Sequence, residues 1–253
     1  MHRSLLAISL LVAAAGCTNT GAETDPLIPN ELVVRGVQIT SLSTLVGTEV
    51  ARVASEPPEG FSTCPEVDEE GDVWTFDYGA EGCVPDSGVT EDLVVGTVEL
   101  TIAGGSGAFL GTVTGMGVGT STMTAEVSGS TSSAGDLLTA DIDFGTATWT
   151  RDTVEFSWDA FVEITGDADE IGLTVDQGVL TAVNGGEPLY VDIEEVATPR
   201  DGVAGCAVPG GGSITLVRDL GRSNLDFTED THTSGSITAT HNDRDPAAVT
   251  PCE

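Results

Sequence analysis

Residues 154–165 read VEFSWDAFVEIT, and this stretch shows the clearest structural pattern in the chain. Every second position is apolar: Val154, Phe156, Trp158, Ala160, Val162 and Ile164. The positions between them are mostly polar: Glu155, Ser157, Asp159, Phe161, Glu163 and Thr165. Because successive side chains of a strand point to opposite faces, we expect a strand with one dry and one solvated face. Such a strand is typical of antiparallel sheet.

The same alternation recurs on both sides of this stretch. Further apolar rows are Trp74, Phe76 and Tyr78; Val94, Val98, Leu100 and Ile102; and Leu189, Val191 and Ile193. Glycine-rich joints at 104–107, 185–186 and 210–212 are typical of the turns between strands. The pattern predicts an all-β fold, an antiparallel β-barrel or β-sandwich of roughly ten strands.

One helix is expected before the strands begin. Apolar residues recur at three- and four-residue spacing and form a single stripe: Val34, Val37, Leu42, Leu45, Val46, Val50 and Val53. Pro57 and Pro58 end this pattern, since proline cannot continue a helix. The many β-branched residues keep a pair of strands open as the alternative.

The composition is acidic enough to exclude some partners. The chain has 253 residues with 41 Asp and Glu against 8 basic residues, all arginine, and a formal net charge of −33. Nucleic acid and bare anionic lipid are disfavoured as partners, because a protein binds either of them through clustered Lys and Arg residues. Such acidity is consistent with a salt-rich medium or with diffusely bound divalent cations, and genomic composition bias is the alternative.

The first residues have the pattern of an export signal. Residues 1–17 read MHRSLLAISLLVAAAGC, in which Arg3 precedes an uncharged run over 5–15. Eleven helical residues cover roughly 16 Å, about half of a hydrocarbon core, so the run is too short to span a membrane. Ala14, Ala15 and Gly16 then lead into Cys17. This arrangement resembles the lipobox of bacterial lipoproteins; an ordinary signal cleaved after Ala-x-Ala is the alternative.

The resemblance implies where the mature chain resides. In that class cleavage precedes the cysteine, which carries a diacylglyceryl thioether and usually an N-acyl chain such as palmitate. Thr18 stands where Asp would commonly signal inner-membrane retention, so the outer membrane is expected, on its periplasmic or surface face. The expected organisation is a signal peptide over 1–16, lipidated Cys17 with a flexible tether over 17–30, and one β-rich domain with an N-terminal helix over 31–253.

Four cysteines remain once Cys17 is set aside, and an oxidising compartment favours their pairing as disulfides. Of the three possible pairings we favour Cys64–Cys83 and Cys206–Cys252, because each closes a shorter loop. A zinc site is disfavoured, since there is no Cys-x₂₋₄-Cys pair and only His232 and His241 follow the signal segment.

No enzyme motif stands out. The chain has neither a Gly-x-Ser-x-Gly elbow nor an EF-hand, so no catalytic residue, metal ligand or cofactor is assigned. His232 and His241 are interpreted as exposed polar residues. Two groups of acidic residues are interpreted as solvated loops, with looser calcium coordination as the alternative: Asp68, Glu69, Glu70 and Asp72; and Asp167, Asp169 and Glu170.

Four aromatic residues form a candidate ligand platform: Trp74, Phe76, Tyr78 and Phe161. Flat rings beside carboxylates can stack on sugar rings. The chain has only 12 aromatic residues, however, and a core of this size needs them, so a place in the core is the favoured role and the platform is the alternative. The expected function is therefore that of a membrane-anchored lipoprotein with a non-enzymatic structural or interaction role, meeting an envelope protein or a glycan. A surface carbohydrate-binding module and an extracytoplasmic hydrolase using paired carboxylates are the alternatives.

Overall fold

A computed structural model describes twelve segments of the chain: residues 28–55, 63–86, 90–103, 107–134, 137–151, 154–167, 174–183, 189–197, 202–203, 206–218, 221–242 and 247–250. The signal segment, Cys17, the tether up to residue 27, and Cys252 lie outside them.

Two helices and fifteen strands make up the described fold. Helix α1 spans Asn30–Ser55 and helix α2 spans Glu229–Ser234. The strands are β1 (Glu66–Glu70), β2 (Val73–Cys83), β3 (Val94–Ile102), β4 (Ala108–Val118), β5 (Ser121–Ala134), β6 (Leu137–Arg151), β7 (Val154–Asp167), β8 (Thr174–Val183), β9 (Leu189–Ala197), β10 (Gly202–Val203), β11 (Cys206–Ala207), β12 (Gly212–Arg218), β13 (Gly221–Phe227), β14 (Ile237–His241) and β15 (Ala247–Val249).

Thirteen strands form one antiparallel sheet in which sequence neighbours are spatial neighbours. The order runs from β1 through β9 and continues with β12 to β15, while β10 and β11 form a separate two-stranded ribbon. Two-residue turns join β1 to β2 and β4 to β5, and Gly71 and Gly119 adopt the positive φ that such turns need. The predicted antiparallel all-β fold with one N-terminal helix is confirmed. The thirteen-stranded sheet that the structure describes is not closed into a barrel.

Helix α1 lies inside the curvature of this sheet. It contacts every strand from β3 to β9 and also β11, β12 and β15. The predicted helix is therefore confirmed, but its surroundings differ from those of a helix with a single buried stripe. Every residue from Gly36 to Ala54 is buried, including the polar Thr48, Glu49 and Arg52.

Small residues on α1 let the sheet approach closely. A Cβ atom placed on Gly47 would lie 3.2 Å from Ile164 Cδ1 and 3.3 Å from Val162 Cγ2, which are side-chain atoms of β7. One placed on Gly36 would lie 2.7 Å from Leu216 Cδ2 on β12. Interiors are packed at crystal-like density, so a longer side chain at either position requires the facing side chains or their strands to move.

A disulfide and a carboxylate hold the first hairpin. Cys64 and Cys83 are bonded, with Cα atoms 6.0 Å apart, and this predicted pairing is confirmed. Asp86 accepts hydrogen bonds from the backbone N–H of Thr63 at 2.6 Å and of Cys64 at 3.0 Å. The bridge thus ties the start of β1 to the end of β2. The predicted Cys206–Cys252 pairing falls outside the described residues.

Neither of the two helices in the described ranges is long and apolar enough to cross a lipid bilayer.

Two substitutions of Gly47 distinguish the effect of helix propensity on stability from the effect of the limited space beside β7. Gly47→Ala should change the free energy of unfolding by less than about 1 kcal/mol, because the gain in helix propensity offsets the tight contacts. Gly47→Leu should lower it by about 1–3 kcal/mol through overpacking against β7. Urea unfolding followed by circular dichroism measures both.

Glu31→Leu is the matched control on the same helix, since the Glu31 side chain is 81% exposed. It should change the free energy of unfolding by less than about 1 kcal/mol. Equal stability of Gly47→Leu and Glu31→Leu would contradict the close approach of β7 to α1.

Candidate functional site

The inner face of the sheet encloses a buried carboxylate–phenol pair. Tyr78 on β2 donates its hydroxyl hydrogen to Glu49 Oε2 on α1 at 2.8 Å. Both residues are buried, with Tyr78 2% exposed and Glu49 fully covered. A buried polar group costs free energy unless it is hydrogen-bonded, so this contact stabilises the helix in one position against β2.

The environment of Tyr78 raises the pKa of its phenol well above 10.0. Burial is the largest cause, because removal from water disfavours the phenolate. The charge of Glu49 and the hydrogen bond that Glu49 accepts act in the same direction. The phenol is thereby held as a donor and is not poised as a base at neutral pH.

Other polar groups of α1 are arranged differently. The hydroxyls of Thr40 and Ser41 donate to the carbonyl oxygens of Gly36 and Val37, one turn earlier in the helix. The Ser43 and Thr44 hydroxyls are buried and have no hydrogen-bond partner among the residues that the structure describes. The interior is therefore filled by the helix and contains more polar groups than a purely aliphatic core.

A second buried polar pair joins β13 and β14. Ser223 Oγ and His241 Nδ1 lie 2.7 Å apart, and the two residues are 0% and 8% exposed. The interpretation of His241 as an exposed residue is wrong, because its position on β14 faces inward opposite Ser223. A serine–histidine contact resembles part of a hydrolytic site, but a covered Ser223 offers no path for a substrate. The His232 side chain lies outside the described part of the chain.

The four aromatic residues of the predicted ligand platform do not lie on one surface. Phe76 and Tyr78 are 0% and 2% exposed, so their assignment as ligand-binding surface is wrong: they lie on the inner face of β2 and form part of the core. Trp74 shares that face and packs against the core while partly exposed. Phe161 faces the other way and is 41% exposed. It alone of the four stands on the solvated face.

The outer face of the sheet carries a groove over β3 to β6. Its volume is about 460 Å³, within the range of roughly 300–1,000 Å³ typical of ligand sites. The residues lining it are Glu99, Thr101, Leu110, Gly111, Thr112, Glu126, Val127, Ser128, Asp143 and Gly145. We call this feature the outer groove. Its carboxylates can accept hydrogen bonds from hydroxyls or pair with cations.

The sequence analysis missed three features of this face: the outer groove itself and the exposed side chains of Leu110 and Tyr190. Leu110 is 62% exposed in the outer groove, and Tyr190 is 46% exposed on β9. Tyr190 occupies a polar position of its alternating strand, as Phe161 does, so the period-two pattern carried the signal for it. The groove is formed by side chains of four neighbouring strands, and the residue pattern of one strand does not show which other strands lie beside it.

The acidic groups considered for calcium do not form a metal site within the described ranges. Asp68, Glu69, Glu70 and Asp72 are exposed, and no cluster of three or more candidate ligands occurs there. Asp169, Glu170 and the Asp167 side chain lie outside the description.

Comparison with known protein families, with curated proteins and with solved structures finds no match to this chain.

The Tyr78–Glu49 pair predicts a specific loss of stability in alkali. Above about pH 10 the unfolded chain releases the Tyr78 proton while the folded chain retains it, so the free energy of unfolding falls as pH rises. Tyr78→Phe removes this dependence, and it costs about 1.5–3 kcal/mol at neutral pH because Glu49 loses a donor. Urea unfolding at about pH 8 and about pH 11 measures both effects.

Tyr190→Phe is the matched control, since it removes the exposed tyrosine and keeps Tyr78. It should retain the steep alkaline loss of the unmodified chain. A Tyr78→Phe protein that loses as much stability as Tyr190→Phe over the same pH interval would contradict the assignment.

Proposed function

We propose that this chain is an exported lipoprotein, anchored at the outer membrane through acylated Cys17, whose folded domain serves a non-enzymatic interaction role. The observation that carries the second half of this proposal is the position of α1. The helix occupies the inner side of the sheet and is buried from Gly36 to Ala54, so a partner meets the outer face. The lipobox-like segment that ends at Cys17 carries the first half.

The composition of the outer face fits a surface that works in water. Its strands present threonine, serine and carboxylate side chains between buried apolar positions, as in the alternation of exposed and buried residues along β5 and β9. A domain of this kind, tethered by residues 17–27, would be held near the bilayer with its outer face free. More than one acyl chain suffices for stable anchoring where a single chain is marginal.

Removing the acylated thiol tests the anchor. Cys17→Ser should abolish acylation and move the protein from the membrane fraction to the soluble fraction, since the apolar chains provide the membrane affinity. Intact-mass spectrometry of the purified protein and cell fractionation measure the two effects. An unacylated or uncleaved mass for the unmodified chain would refute the proposal.

Thr18→Asp is the control that separates acylation from sorting. It leaves Cys17 in place, so the acylated mass should persist while the protein shifts from the outer- to the inner-membrane fraction. An unchanged distribution between the two membranes would overturn the outer-membrane assignment and leave the anchor intact.

Carbohydrate binding is the second candidate, and the exposure of Phe161 favours it. Phe161 pairs with Asp143 on one side and with Val179 on the other, and Val179 pairs in turn with Asp192. Tyr190 lies two residues from Asp192 on the same face, roughly 12 Å from Phe161 by strand geometry. Two exposed rings beside carboxylates have the chemistry of a sugar-binding surface.

Phe161→Ala tests this second candidate. A glycan array with the intact protein should identify a ligand, and the variant should bind that ligand about tenfold more weakly through loss of ring stacking. Leu137→Ala is the control, because Leu137 is 49% exposed at the far end of β6. Calorimetric titration measures the affinities. Absence of any glycan bound, or an equal loss in both variants, would exclude this candidate.

A further inference from the structure

We propose that the outer groove and the acidic row beside it bind an extended, arginine-rich segment of a partner protein. This inference rests on the proposed interaction role of the outer face and names the chemistry of the partner. It follows from the charge of the groove, from its apolar wall and from the way the carboxylates continue across the sheet.

The groove concentrates negative charge in a concave surface. Glu99 on β3 and Glu126 on β5 both pair with Thr112 on β4, which places the two carboxylates about 10 Å apart across a strand with a short side chain. Asp143 on β6 lies nearby, opposite Ser128. No hydrogen bond or ion pair within the described part of the chain engages these three carboxylates.

Two neutral residues shape the groove for a particular kind of side chain. Gly145 lies beside Glu126, where a Cβ atom would be 3.7 Å from Glu126 Cβ, so the floor there is open backbone. Leu110 presents an apolar wall that is 62% exposed. A side chain with an aliphatic stem and a cationic end satisfies both: its stem packs on Leu110 and its charge reaches the carboxylates.

The carboxylates continue beyond the groove in a single cross-strand row. Asp141, two residues from Asp143 on β6, pairs with Glu163 on β7. The row then passes through Gln177 and reaches Glu194 on β9 and, beyond Ser213, Asp226 on β13. Five strand spacings make this row about 24 Å long. A small cation would occupy one point of it, whereas an extended segment can follow its length.

Arginine fits this surface better than lysine. Its planar guanidinium pairs with a carboxylate through two hydrogen bonds and also stacks on aromatic rings. Phe161, which lies opposite Asp143 on the outer face, supplies such a ring at the point where the groove meets the row. The chain offers little competing charge of its own there, since the described arginine exposed on this face, Arg222, lies on β13 and donates to Asn224.

The test uses the full processed chain in detergent and a fluorescent eight-residue peptide of alternating arginine and threonine. Binding is measured by fluorescence anisotropy at low and at physiological salt. The groove variant E99Q/E126Q/D143N should bind at least about tenfold more weakly, whereas the edge variant E66Q/D68N/E70Q on β1 should lose about twofold or less. Both variants change the net charge by the same amount, and all six carboxylates are exposed.

Two further measurements distinguish the contribution of the apolar wall of the groove from that of the charge of the peptide. Leu110→Ser should weaken binding about threefold at both salt concentrations, because it removes the apolar wall and no charge. A peptide with citrulline in place of arginine, which keeps the shape and lacks the charge, should bind at least about tenfold more weakly.

Besides a failure to bind the peptide at all, three results would overturn the inference: equal losses in the groove and edge variants, undiminished binding of the citrulline peptide, or full displacement of the peptide by spermine at equal charge. The first would assign binding to the overall charge of the chain, and the last would assign the groove to a small cation. An acylated chain that binds no peptide refutes this inference alone, whereas a chain without the acyl group refutes the proposed anchor.

Discussion

The enclosure of α1 by one curved sheet is the constraint on which the rest of the structure depends. A sheet that contacts the helix from β3 round to β15 leaves it no solvated side from Gly36 to Ala54, so each side chain of that stretch has to fit against a strand. Glycines at positions 36 and 47 meet this requirement by being small. Thr40 and Ser41 meet it by donating to the helix backbone, and Glu49 by accepting from Tyr78.

The same enclosure determines where the charge of the protein resides. With the helix covering the inner face, most of the carboxylates that the structure describes lie on the outer face, in the turns and at the edges. Strand β1, whose sequence is EVDEE, places like charges along an open edge of the sheet. Charged edge strands repel one another, so this edge resists pairing with a second copy.

Local pattern was sufficient to predict some features of the fold and insufficient for others. The alternation of residues 154–165 predicts β7, and short loop closure predicts the Cys64–Cys83 bond, because both depend on nearby residues. The burial of Thr48 and Glu49 and the inward position of His241 depend on strands distant in sequence. Alternation also showed that Phe76 and Tyr78 share one face and did not show which face was inner. The alternation pattern did not predict the outer groove either, since four strands contribute its lining.

Register converts a dispersed acidic composition into a surface with a defined pattern. Carboxylates that are far apart in the sequence, such as Asp141, Glu163 and Glu194, fall into one row because each hairpin aligns the next strand with the last. A change of one residue in any hairpin would turn the following strand over, bringing its carboxylates against α1. Since burying an unpaired carboxylate is costly, the packing of the helix selects the register that also produces the outer acidic row. Core and surface are therefore specified by the same hydrogen-bonded ladders, and the pattern of the outer face is as fixed as that of the interior.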